Sequence, residues 1–200
     1  MKCIIPAAGY GTRMSMKPNQ SKEMIKDKDY HNHHMIQWAL DLCSLLKIKP
    51  LVLTREDKKD LRQYLFNAGI EFIDVKPEGE WYDTVLQSKE HWDEDNLLLL
   101  PDTRFHKIQV IEDIQRGLEL GNNAVFALHE VIDPSKWGIV IGYHLLEKPE
   151  QLSGKQWAWG LIGFKDYYGQ KLFSHLKSNL ILEDVGFTYL NKFEDITRSK

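Results

Sequence analysis

Cysteine is scarce in this chain: Cys3 and Cys43 are the only two in 200 residues, too few for a disulfide framework. Both lie in apolar periodic stretches where a reduced thiol packs as a small hydrophobe, so a reducing compartment, the cytoplasm, is expected. Long hydrophobic runs are missing as well. Cys3-Ile4-Ile5 stops at Pro6 and Gly9, and Leu97 to Leu100 stops at Pro101, both far short of the roughly 20 residues that span a bilayer. Neither a membrane partner nor a cleaved signal is expected. Charge of one sign is lacking too. The 26 Lys and Arg against 29 Asp and Glu leave a formal net charge of -3, which offers no field to draw in nucleic acid. Repeats, low-complexity tracts and linkers are absent. A chain with 42% hydrophobic and 11% aromatic residues suits one domain over residues 1–200, with one sizeable core.

What the sequence does contain is alternation of strand and helix patterns. The run Cys3-Ile4-Ile5 reads as a strand covered on both faces. Met35, Ile36, Ala39, Leu42, Cys43 and Leu46 recur at helical spacing, and Leu51 to Leu53 reads as a short strand. Leu61, Tyr64, Leu65 and Ala68 predict a helix ended by Gly69. A strand over Ile70 to Val75, a helix through Tyr82, Val85, Leu86 and Lys89, and a buried strand over Leu97 to Leu100 continue the series. Such alternation points to an α/β fold with a parallel, right-handedly connected sheet. After a helix over Ile108 to Leu118, strand-like segments follow at Ala124 to Leu128, Trp137 to Tyr143, Trp159 to Phe164 and Phe187 to Leu190, so antiparallel pairs are expected there. A last helix is expected over Tyr167 to Leu176, and the tail after Asp195 should be helical or frayed.

The strongest local signal is Pro6-Ala7-Ala8-Gly9-Tyr10-Gly11-Thr12-Arg13-Met14, directly after the first strand. Ligands of open α/β sheets bind at carboxyl ends of strands. Gly9 and Gly11 allow close backbone approach to a phosphate, and Arg13 brings a planar cation suited to phosphate oxygens. The loop is not a dinucleotide fingerprint, since Met14 stands where the third glycine belongs. It is not a P-loop either, since no Gly-Lys-Ser/Thr follows. On its own it is equally a structural strand-to-helix turn.

Three further motifs follow in order: Ser21-Lys22-Glu23-Met24, Leu100-Pro101-Asp102-Thr103 and Glu147-Lys148-Pro149. With the glycine loop they make the chain resemble the sugar-1-phosphate nucleotidyltransferases, such as the glucose-1-phosphate thymidylyl- and uridylyltransferases, over nearly its whole length. The resemblance implies a single-domain, Rossmann-like three-layer α/β/α fold with a mixed, mainly parallel central sheet. Its N-terminal half would bind the nucleotide and its C-terminal half the acceptor. It implies Mg²⁺-dependent transfer of a nucleotidyl group from an NTP, dTTP or UTP foremost, to a sugar-1-phosphate with release of pyrophosphate. Neighbouring alternatives are a CTP-dependent enzyme for a phospho-alcohol such as phosphocholine, and an inactive nucleotide-binding module.

By the same resemblance, Ala7, Ala8, Gly9, Gly11 and Thr12 wrap the triphosphate, Arg13 and Lys22 meet its charge, and Gly79 lies near the base. Asp102 holds the metal. Gly138, in Trp137-Gly138-Ile139-Val140, joins Glu147 and Lys148 in binding the acceptor. Taken singly, Asp102 also suits a turn or helix cap, and lysines are mostly solvated. The chain departs from the pattern at Ser21, where proline is usual, and at Pro101, where glycine is usual. It departs again at Asn191, where the second metal carboxylate is expected; Glu183, Asp184 and Asp195 are the alternative donors. Base, acceptor and oligomeric state stay open.

His31, His33 and His34 read as a solvated helix start and not a metal site, for no second cluster supports them. Trp92 is expected in the core, with Trp81 and Tyr82 as candidates to stack on a base or sugar. Of Trp157 and Trp159, one is expected to line the acceptor site and the other to pack inward.

Overall fold

The computed structural model describes residues 1–11, 20–28, 30–76, 79–105, 108–142, 144–175, 180–181, 187–190 and 196–198. The chain groups into two compact units. The first comprises Met1–Asp93, Leu98–Arg104 and Arg198–Lys200, the second Glu94–Leu97 and Phe105–Thr197.

The first unit opens with β1 (Lys2–Pro6), then β2 (Lys26–Asp27), β3 (His33–His34), α1 (Gln37–Leu45), β4 (Lys49–Thr54), α2 (Lys59–Asn67), β5 (Glu71–Asp74) and α3 (Trp81–Leu86). β1 pairs in parallel with β4, setting Ile4 beside Leu51 and Ile5 beside Val52, and β4 pairs in parallel with β5. Cys3, Ile4, Ile5, Leu51, Val52 and Leu53 are fully buried, which is why these strands are continuous apolar runs and not alternating ones. α2 buries Leu61 and Leu65, one turn apart. It ends where Gly69 takes a left-handed φ of 66°, a conformation glycine adopts without a Cβ clash.

β6 (Asp95–Leu99) and β7 (Thr103–Phe105) lead onward. The second unit carries α4 (Gln109–Glu119), β8 (Ala124–Val131), β9 (Gly138–Ile141), β10 (His144–Glu147), β11 (Gln156–Lys165), α5 (Asp166–His175), β12 (Leu180–Ile181) and β13 (Phe187–Leu190), and β14 (Ile196–Arg198) follows near the chain end. β8 and β11 are antiparallel, with a register shift between Trp159 and Leu161, and β9 and β10 form an antiparallel pair. β13 runs parallel to β8. α4 packs on β8 and β11 through Val110, Ile111, Ile114 and Leu118, buried at helical spacing. Phe164 of β11 meets Phe173 of α5 edge to face at 5.0 Å between ring centroids.

The mixed α/β architecture is therefore present, and the expected elements stand within a few residues of their predicted bounds. Two expectations change. His33 and His34 form the second strand of a small hairpin with Lys26 and Asp27, and the helix begins only at Gln37. The turn between these strands places His31 and Asn32 at positive φ, which a helix start does not allow. In the tail, Ile196–Arg198 is a strand and not a helix, in keeping with its β-branched Ile196 and Thr197. Cys3 and Cys43 are free and buried, as expected. Among the described residues no helix is long and apolar enough to cross a membrane.

Candidate functional site

The glycine loop leaves the carboxyl end of β1, where the Ala7 amide donates to the Leu53 carbonyl at 2.8 Å. Ala7 and Ala8 are buried, whereas Gly9 and Tyr10 are exposed. Gly11 has φ 66°, so its glycine has a conformational reason. Gly9 shows none among the described residues: its φ is not positive, and a Cβ built on it meets none of them within 4 Å. Beside the loop, the Arg55 guanidinium lies 3.9 Å from the centre of the Tyr10 ring and is forked onto Asp57 by two bonds of 2.9 Å. Thr12 and Arg13 lie outside the described residues.

Lys22 and Asp102, 80 residues apart, meet in the first unit. Lys22 opens a short 3-10 turn, Lys22–Met24, and its Nζ lies 3.3 Å from Asp102 Oδ2. Asp102 stands in the turn after β6 and Pro101, and both side chains are about a quarter exposed, at 23% and 22%. The pair is thus open to a ligand while held in place. Magnesium takes oxygen ligands and is commonly held by one or two carboxylates together with substrate phosphates. Asp102 supplies one such carboxylate. Among the described residues no group of three or more His, Cys, Asp or Glu could cage a metal alone. Asn191 and its alternatives Glu183, Asp184 and Asp195 lie outside the described residues.

Around Lys22 stands a layer of charge that sequence reasoning passed over. Lys58, 4% exposed, donates to the Ala7 carbonyl at 2.5 Å and to Glu23 Oε2 at 2.7 Å, and Glu23 is fully buried. Burial pushes the Lys58 ammonium below the ordinary lysine range; Glu23 pulls it back up, and Arg55 and Lys22 add to the fall. Asp60, in the first turn of α2, accepts from the Ser21 amide at 2.9 Å, the Ser21 hydroxyl at 2.6 Å and the Leu61 amide at 2.8 Å. The only sequence signal was Lys58-Lys59-Asp60 at a helix start, which reads as solvated charge. Nearby, Arg104 pairs with the buried Asp27.

Asp60 gives a prediction about pH. Burial alone would raise its carboxyl, but the hydrogen bonds from Ser21 and Leu61 outweigh it and hold it below the usual carboxylate range. A group whose folded-state pKa is depressed contributes stability that is complete above the unfolded value, about 4, and is lost as pH falls through the folded value. In urea titrations the stability gap between wild type and Asp60→Ala should be full at neutral pH and close progressively below pH ~4. A gap that persists unchanged into acid contradicts this assignment.

Gly79 has a structural reason of its own. Its φ is 83°, and a Cβ there would lie 2.4 Å from Asp83 Oδ2, the oxygen that accepts from the Glu80 amide at 3.1 Å. It therefore shapes the start of α3. Tyr82 is buried and Trp81 half-buried. Trp92 is also half-buried, its indole donating to Ser88 Oγ at 2.9 Å.

In the second unit Gly138, Glu147 and Trp159 come together. β9 and β10 set Glu147 opposite Gly138, and the Trp159 indole donates to Glu147 Oε1 at 3.2 Å. A Cβ on Gly138 would lie 2.5 Å from Glu147 Oε1 and closer still to Trp159 Nε1, so only glycine fits. Lys148 has a left-handed φ of 47°, with its amide bonded to the Trp137 carbonyl at 2.9 Å. Trp137 packs edge to face on the buried His129 at 4.7 Å. Of the tryptophan pair, Trp159 is 5% exposed and Trp157 37%. The inward one is also the one that touches Glu147.

No protein-family profile matches the chain, and no curated protein matches it. Among solved structures it is similar to a protein from Bacillus anthracis described as a "Putative Glucose-1-Phosphate Thymidylyltransferase", in complex with a sucrose. The two superpose with a TM-score of 0.75 at 18% sequence identity, covering 99% of this chain and 89% of that one. The two share a Rossmann-like α/β fold.

Proposed function

We propose that the chain is an Mg²⁺-dependent nucleotidyltransferase that transfers a nucleotidyl group from an NTP, dTTP or UTP foremost, to a sugar-1-phosphate. The observation that carries this reading is the meeting of Lys22 with Asp102 at 3.3 Å, within the unit that holds the glycine loop. A cation for phosphate and a carboxylate for a metal, gathered from sequence-distant turns, are what phosphoryl chemistry requires. The fold likeness supports the same class.

In the proposed reaction an acceptor phosphate oxygen attacks the α-phosphorus in line, and the bond to pyrophosphate breaks with its electron pair leaving on pyrophosphate. No protein nucleophile is needed, so the chain's work is positioning and neutralisation. Gly9 and Gly11 admit the triphosphate to the backbone. Arg13 and Lys22 meet its charge, and Gly79 borders the base. Asp102, with Asn191 or a neighbouring carboxylate, would hold Mg²⁺, which supplies charge neutralisation at phosphate oxygens. Lys148 and Glu147, with Gly138, would hold the acceptor.

Gly9→Ala tests the loop. Its Cβ meets nothing among the described residues, so the unfolding midpoint should stay or rise slightly. Nucleotide affinity should fall roughly tenfold, about 1.4 kcal/mol, in a calorimetric titration. Unchanged affinity would remove Gly9 from the site.

One observation favours a second acceptor class. The Gly138 backbone lies so close to Trp159 and Glu147 that a Cβ there would meet both, and the Glu147 carboxylate already accepts from the indole. An acceptor smaller than a sugar ring, such as a phospho-alcohol taken with CTP, suits that closure better. Mass spectrometry of products from Mg²⁺, each NTP, and a panel of sugar-1-phosphates and phosphocholine separates the two. An NDP-sugar supports the first reading and a CDP-alcohol the second, while no product from any pairing leaves a nucleotide-binding module.

A further inference from the structure

We propose that Lys58 and Asp60 are positioning residues: the first turn of α2 clamps the glycine loop to the Ser21–Met24 segment and so fixes Lys22 opposite Asp102. The catalytic consequence rests on the function proposed above; the clamp itself does not.

Lys22 has anchored neighbours on both sides. Ser21, fully buried, gives its amide and its hydroxyl to the two carboxylate oxygens of Asp60. Glu23, also fully buried, accepts at one carboxylate oxygen from Lys58 Nζ. The same ammonium holds the Ala7 carbonyl at 2.5 Å, at the point where β1 passes into the glycine loop. From the other side, the Ile36 amide donates to the Glu23 carbonyl at 3.2 Å and the Met35 amide to the Ile25 carbonyl at 2.9 Å, tying the segment to the start of α1. The backbone of Lys22 is therefore held from two elements, and one ammonium sets its distance from the loop.

Stability alone does not account for this arrangement. Desolvating an ammonium and a carboxylate costs about as much as their attraction returns, and well-packed apolar residues of similar volume commonly do as well or better. What an apolar pair does not reproduce is a directed three-point contact among Ala7, Glu23 and Lys58. Two bonds from one nitrogen fix both distance and direction, which a phosphate-binding lysine a single residue away needs if its reach is to be set before substrate arrives.

The test is amide hydrogen exchange on the ligand-free full-length protein, comparing wild type with the Lys58→Met/Glu23→Leu variant, which removes both buried charges together. The readout amides are Ser21, Met24, Ile25 and Ile36, each hydrogen-bonded at the clamp, and Ala7, whose carbonyl accepts from Lys58 while its amide is bonded to Leu53. The controls are Ala68 and Ile70, bonded at the far end of α2. The expected result is exchange about tenfold or more faster at the readout amides, with the controls unchanged. Where turnover is measurable, KM for the nucleotide should rise by a similar factor. Equal acceleration at the controls, or no acceleration at the clamp, overturns the proposal. If the double variant does not fold, Asp60→Ala gives the same test at Ser21, Met24 and Ile25. Exchange needs no substrate, so a protein without turnover defeats the proposed function and leaves this result standing.

Discussion

Asp102→Ala should slow pyrophosphate release by roughly 10²-fold or more, the usual cost of removing one electrostatic contact to a transition state, while the protein stays folded. The side chain is about a quarter exposed, and among the described residues its ionic contact is Lys22 at 3.3 Å. Removing it leaves no buried charge without a partner, for Lys22 is exposed to a similar degree. The stability change should therefore be of the order of a partly exposed ion pair, within about 1 kcal/mol. The size of the rate effect follows from the role proposed for Asp102: without its carboxylate the metal loses its anchor in the described part of the site. Unaltered turnover in this variant would confine Asp102 to shaping a turn.

Gly138→Ala should destabilise the second unit. The added methyl carbon falls 2.5 Å from Glu147 Oε1 and nearer still to Trp159 Nε1, both below any real contact distance. Neither neighbour retreats easily, since the indole is 5% exposed within β11 and hydrogen-bonded to that carboxylate. Overpacking of this kind costs about 1–3 kcal/mol. In a chain of this length that corresponds to a fall in unfolding midpoint of roughly 2–10 °C. Adding Trp159→Leu, which withdraws the indole atoms and frees the Glu147 carboxylate to move, should recover part of the loss. A single variant as stable as wild type would mean that the indole and carboxylate do not close over Gly138 as described. Any acceptor that needs Glu147 and Gly138 should also bind less well to Gly138→Ala, beyond the effect on stability.

The elements legible in the sequence were those with a full-length pattern. β1 and β6 are apolar runs bounded by proline, and α2 and α4 carry apolar residues at helical spacing up to Gly69 and Gly121. Short strands were not legible. β3 hides in His33-His34 and β10 in His144-Leu145-Leu146-Glu147 because their identity comes from the strands opposite, Lys26-Asp27 and Gly138–Ile141, which no local pattern encodes. The site divides in the same way. Lys22 and Asp102 were found through their motifs, whereas their juxtaposition needed the fold. Glu23 was seen only as part of its motif, and Lys58 and Asp60 were invisible, because charged residues at a turn and a helix start read as solvated. Only the burial of Glu23 and Lys58, and the bonds Asp60 accepts from Ser21, reverse that reading. The tryptophan pair was recognised without its assignment, since alternation along a strand separates two faces without saying which is inside.

The central claim is turnover. The direct measurement is continuous pyrophosphate release by the purified chain with Mg²⁺, offering dTTP, UTP, CTP, ATP and GTP in turn with glucose-1-phosphate, mannose-1-phosphate and phosphocholine. The account predicts release in one nucleotide–acceptor pairing, dependent on Mg²⁺ and lost in Asp102→Ala. Silence in every pairing from a folded protein, or release that Asp102→Ala leaves intact, contradicts it.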